Sequence, residues 1–155
     1  MRVQIIAMGD RMPDWVQHGY KEYIKRIGAG LQIELLEISP EKRGKSADVQ
    51  RIMQKEAERM RQSIPRGNFV IALDKEGKSW STENLADKIA NWQQDGTNVS
   101  LLIGGPEGMT PELLQQADAR ISLSAMTFPH PIVRIILAEQ LYRAYSILSH
   151  HPYHK

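Results

Sequence analysis

Ser100-Leu-Leu-Ile-Gly-Gly-Pro-Glu-Gly-Met109 is the stretch that decides the fold class. Leu101, Leu102 and Ile103 are consecutive apolar residues, the pattern of a strand covered on both faces. Such strands belong to parallel sheets flanked by helices. Gly104, Gly105 and Gly108 follow at once. Lacking a Cβ, they let backbone come close to a neighbour. Ligands of open α/β sheets sit at the C-terminal ends of strands, so this loop is the first candidate binding site.

On either side, strand-like and helix-like segments alternate. Val3–Met8, Leu31–Ile38, Asn68–Leu73, Val99–Ile103 and Arg120–Leu123 read as strands. The periodicity predicts helices over Pro13–Ile27 (Trp15, Tyr20, Tyr23, Ile24 and Ile27 inward), Ala47–Ile64 (Val49, Ile52, Met53, Ala57 and Met60) and Ser81–Trp92, with Ser81 as N-cap. A short helix over Pro111–Ala117 and a long one over Pro131–Leu148 complete the series. The expectation is an α/β fold, one domain over 1–155, with a mainly parallel sheet and helices on both faces. The last helix should bury Val133, Ile136, Leu137, Leu141, Ala144 and Leu148.

Composition is that of an ordinary globular chain, 41% hydrophobic and 25% charged. The absence of cysteine excludes a disulfide framework, a Cys-ligated zinc site and a thiol nucleophile. No apolar run reaches the ~20 residues needed to span a bilayer, and the N-terminus lacks a signal-peptide pattern. A cytoplasmic protein is the expectation. Net charge is +2, but residues 41–66 carry eight Lys/Arg against four acids. This stripe reads either as a phosphate contact or as a solvated helix face.

The glycine loop does not match phosphate motifs. A P-loop needs Lys-Ser/Thr after its last glycine, and the dinucleotide fingerprint needs G-x-G-x-x-G at the first strand–helix turn. Pro106 lacks an N–H and Glu107 repels anions. The loop is therefore a tight turn or a wall for a neutral or cationic ligand. Leu73-Asp-Lys-Glu-Gly77 ends a second strand, as a turn or as another wall. Ser122-Leu-Ser-Ala-Met-Thr-Phe-Pro-His-Pro131 is a third strand-end loop, whose small residues expose backbone groups suited to an adenine edge. His130 is held between two prolines. Glu139 and Arg143, an i,i+4 pair beside Tyr142, form either a surface ion pair or an acid–base unit with an anion partner. The tail His150-His-Pro-Tyr-His-Lys155 lacks helical H-x-x-x-H spacing, so folding back into a site is the better reading than metal binding.

Together these segments resemble the ribosomal large-subunit methyltransferase H family of the SPOUT class. The matching pieces are Pro13-Asp-Trp15 with Tyr23, Leu73-Asp74, Leu102-Ile-Gly-Gly-Pro-Glu-Gly108, Leu123–His130, Val133-Arg134, Glu139–Ala144 and Pro152-Tyr-His154. The resemblance implies a deep C-terminal trefoil knot, a homodimer and S-adenosylmethionine held by three loops, with no metal. It implies N3 methylation of a pseudouridine in helix 69 of 23S rRNA. The cofactor residues it carries over are Leu73, Gly104 and Leu123, Ser124, Ala125, Met126, Thr127 and Phe128, with Gly105 and Gly108 shaping the pocket. For the chemistry, Glu139 or His154 is the candidate base and Arg143 the partner of an imidate or phosphate. Tyr153 and His130 are positioning groups. The expected substrate is 23S rRNA in an assembled ribosome or large subunit, and no membrane is involved. An RNA-binding module without catalysis and a nucleotide-binding regulator are the rival classes.

Overall fold

In the computed structural model, which describes residues 1–155, five strands and five helices alternate. They are β1 (Arg2–Met8), α1 (Asp14–Ile24), β2 (Gln32–Ile38), α2 (Val49–Gln62), β3 (Phe69–Ser79), α3 (Thr82–Asp95), β4 (Val99–Ile103), α4 (Pro111–Gln116), β5 (Ala119–Ser122) and α5 (His130–Leu148). The sheet runs β2-β1-β4-β3-β5 and every pairing is parallel.

Successive residues of a strand face opposite sides of the sheet, and the two inner strands show this directly. Val3, Ile5 and Ala7 of β1 and Val99, Leu101 and Ile103 of β4 join the larger core with residues of α1, α3 and α5. Ile6, Met8 and Leu102 face the other way and pack with Met60 of α2 and Leu113 of α4. The one polar side chain inside β4, Ser100, receives a hydrogen bond from Asn68 Nδ2 at 3.1 Å. The helices start where their caps stand. Asp48, Ser81 and Thr110 each accept a backbone N–H of their helix's first turn, and Ser81 forms a capping box with Asn84.

Four expectations are corrected. α1 stops at Ile24, and Val16 and Tyr20 are its buried residues, whereas Trp15 is 56% exposed. Val49 of α2 is exposed, and Glu56 is buried in its place. On α5 the residues Val133, Ile136 and Leu148 are only half-buried, whereas Arg134, within the same run, is 2% exposed. This helix packs against both α1 and α3, so its burial does not follow one stripe.

The fourth correction bears on the site. β3 does not end at Leu73 but runs on to Ser79. Leu73 and Lys78 both pair with Ile121, so residues 74–77 bulge out between them. A Cβ on Gly77 would stand 2.6 Å from the Arg120 carbonyl carbon. Glycine is what lets β3 and β5 approach there.

Candidate active site

β4, β3 and β5 are neighbours, and all point their C-terminal ends to one edge of the sheet. That edge carries the three loop regions named from the sequence. Leu73 pairs with Ile121, Gly104 follows β4, and Leu123–Phe128 follow β5. A Cβ on Gly104 would stand 3.0 Å from the Gly108 carbonyl carbon and 3.1 Å from Met109 Cγ, so the loop closes tightly on itself. Gly108, at φ 80°, donates its N–H to Gly105 O at 2.9 Å. In the third loop, Ser122 Oγ donates to Ser124 O and Ser124 Oγ accepts from Met126 N–H. Those bonds shape the loop and leave Ala125, Met126 and Thr127 exposed.

Gly105 faces elsewhere. An added Cβ would meet Met8 Cγ at 3.2 Å, so this glycine seats the loop against the end of β1. Glu107 is not a free countercharge either. Arg43 binds it at 2.6 and 3.2 Å and also reaches the buried Glu56 at 3.3 Å. The hydrogen bond from Arg43 holds the Glu107 carboxyl below its ordinary pKa. Segment 39–47 is thereby tied to the glycine loop.

The tail folds back onto α5. Glu139 Oε1 accepts from Arg143 Nε (2.8 Å), Arg143 Nη2 (2.7 Å) and Tyr153 Oη (3.1 Å), and Oε2 accepts from Gln140 Nε2 (2.8 Å). Gln140 in turn accepts from Thr82 at 2.6 Å. The Arg143 guanidinium lies over the Tyr153 ring, 4.7 Å from its centroid. Burial, then the bond to Glu139, raises the Tyr153 pKa, so the phenol stays protonated and donates. His154 Nδ1 is 3.4 Å from Arg143 Nη1, and its Nε2 is 3.0 Å from Glu83 Oε1. Guanidinium only donates and carboxylate only accepts. The ring is therefore set as the tautomer with its proton on Nε2.

Four sequence-named residues, Glu139, Arg143, Tyr153 and His154, thus form one network. Glu83, Gln140 and Thr82 belong to it and were not foreseen. No local pattern marks Glu83, whose partner is 71 residues away. Thr82 and Glu83, the network's α3 members, open the helix that follows β3, whose last residue Ser79 pairs with Ser122 of β5.

His130 is placed apart, nine residues before Glu139 and ~14 Å along the helix axis. Its imidazole lies near the β1 exit, where a Cβ on Gly9 would meet His130 Cε1 at 3.9 Å and Arg134 Nη2 at 3.6 Å. Burial, and then the Arg134 charge, depress the His130 pKa. Arg134 binds Glu37 at 2.5 Å and Gly9 O at 2.7 Å, pinning the start of α5 to β1 and β2.

Half-buried Leu73 and the exposed run Ala125–Thr127 are the surface this edge offers an adenosyl group, whereas the space beside Gly104 is taken by Gly108 and Met109. No group of three or more His, Cys, Asp or Glu side chains is placed to share a metal ion.

A family model described as "Predicted SPOUT methyltransferase" matches residues 1–154. Among solved structures, the chain is similar to a probable methyltransferase from Bordetella pertussis Tohama I, at 14% identity and TM-score 0.60, covering 93% of this chain and 94% of that one. It is similar to a probable methylase family protein from Haemophilus influenzae Rd KW20, at 14% identity and TM-score 0.57, covering 99% and 70%. TrmJ from Z. mobilis ZM4 matches at 12% identity and TM-score 0.56, covering 93% and 70%. At such identities these likenesses concern the fold. With the family match over nearly the whole length, the chain belongs to the SPOUT methyltransferases and takes S-adenosylmethionine as its methyl donor.

Proposed function

We propose that this chain methylates N3 of a pseudouridine in helix 69 of 23S rRNA, as a homodimer, on an assembled large subunit or ribosome in the cytoplasm. The observation that supports this reading is the tail network, in which Tyr153, Arg143 and His154 converge on Glu139 and Glu83. We place the donor against Leu73, Gly104 and Leu123–Phe128, and we take the C-terminal half to hold a deep trefoil knot. Exposed Trp15, Met126 and Ile132 supply apolar surface for a second copy.

Bound there, S-adenosylmethionine supplies an electrophilic methyl on a sulfonium. The protein must present a nucleobase nitrogen in line with it and receive the N3 proton. Glu139 is a poor acceptor because four donors already occupy its carboxylate. It acts as the clamp that orients Arg143 and Tyr153. His154, backed by Glu83, is the better proton acceptor, through the nitrogen it now turns toward Arg143. Arg143 uses three of its five N–H groups on Glu139 and His154, which leaves two for the negative oxygen that forms as N3 loses its proton.

Mass spectrometry of 23S rRNA digests from a strain lacking this gene tests the reading. The helix 69 fragment should lose one methyl group, which the wild-type gene restores. A fully methylated fragment in the deletion strain overturns the proposal.

A further inference from the structure

α5 ends by placing His150 at φ 57°, in the left-handed region where helix ends favour glycine. His150 N–H donates to Ile147 O at 3.3 Å and His151 N–H to Ser146 O at 2.8 Å, so the last carbonyls are capped. The turn sends Pro152–His154 back toward Glu139. Glycine would make this turn without steric cost. Instead, the imidazole of His150 stands exposed at the mouth of an open groove of about 600 Å³ lined by Arg26, Tyr142, Tyr145, His151 and Pro152.

We infer that this groove is a second nucleotide subsite, holding a base and phosphate of the RNA strand beside the target residue. The inference rests on the proposed RNA-methylating function. Arg26 is the cation of the lining, and because Lys25 (2.8 Å) competes with it (2.6 Å) for the single carboxylate of Glu22, the trio keeps one net positive charge. Tyr142 is buried in the wall, and the accessible rings are those of Tyr145, His150 and His151, which with Arg26 suit a single strand bound by stacking and by the cation. The groove is also continuous with the tail network. The Tyr142 ring lies 4.6 Å from Tyr153 and 6.5 Å from His151, so one wall serves both.

Fluorescence anisotropy with a labelled, mixed-sequence single-stranded RNA decamer tests the subsite. His150→Gly should raise the melting temperature while weakening RNA binding roughly threefold or more, and His150→Gly with Arg26→Ala should weaken it at least ~10-fold. S-adenosylmethionine affinity by calorimetry, and the oligomeric mass, should not change. Three results overturn the subsite: equal RNA affinity in all variants, a wild type that leaves the decamer unbound, or a changed oligomeric mass, which would give the groove to a second copy. Failure of the underlying function shows separately, as methylated helix 69 in the deletion strain.

Discussion

Single side chains in this protein differ in how fully their polar atoms are used, and that decides what their removal does. His154→Ala should lower the methylation rate about 10²-fold, the scale of a general base, and Tyr153→Phe about 10-fold. S-adenosylmethionine affinity should hold in both, as calorimetry would show. Wild-type turnover in His154→Ala would remove the tail from the chemistry. Tyr20 presents the opposite case. Its hydroxyl is buried without a partner, and burial pushes its pKa up to about 12 against the lowering effect of Arg134. Tyr20→Phe deletes an unpaired group, so urea unfolding should show stability raised by about 1 kcal/mol. His130 carries a pH dependence. Its folded pKa lies below the ordinary 6.5, so the unfolded chain takes up this proton first as pH falls. The stability it contributes is present above about pH 6.5 and is lost as pH falls through the depressed folded value. Wild type should therefore lose stability relative to His130→Gln as pH falls from about 7.5 through the depressed folded value.

Among the elements, legibility followed locality. β4 is Val99–Ile103 as read, and the Ser81 cap and Pro111 helix start stand where the sequence places them, because each depends on neighbours a few residues away. β3 beyond Leu73 was not legible. Asp74-Lys-Glu-Gly77 has turn composition and bulges out, and β3 continues past it only because Lys78 and Ser79 pair with β5. Gly77→Ala should thus cost about 1–3 kcal/mol by overcrowding the Arg120 backbone, and should loosen donor binding at Leu73 and Leu123. Unchanged denaturation and donor affinity would show that the two backbones have room to part. Arg134 was hidden for the same reason. Its partners Glu37 and Gly9 come from the other end of the chain, and nothing near it in sequence signals burial. In the site, the odd composition of the tail and the i,i+4 spacing of Glu139 and Arg143 were visible. Their convergence with Glu83 depended on the return at His150.

On the scale of the whole molecule, the basic stripe of residues 41–66 is smaller than it reads. Arg43 is held by Glu56 and Glu107, Arg59 by Glu41 and Ser39 O, and Arg61 by Glu58, while Lys55 lies 3.8 Å from Glu41. Lys42, Lys45, Arg51 and Arg66 are left outside any ion pair. With so much of its positive charge spent internally, the stripe offers little to naked RNA, which supports a substrate presented on an assembled particle. The two kinds of cation should respond differently to charge reversal. Arg51→Glu removes a free charge, so its effect should fall on binding to large subunits. Affinity should drop, and the log–log salt slope should flatten by about 1 for each lost phosphate contact. Arg59→Glu instead places a second carboxylate against Glu41 and breaks the bond to Ser39 O. Its effect should appear as lower stability in urea, with a salt slope near that of wild type at conditions where the fold persists. Sedimentation binding across a salt series separates the two. Equal salt slopes for wild type and Arg51→Glu would show that this face of the molecule does not meet RNA.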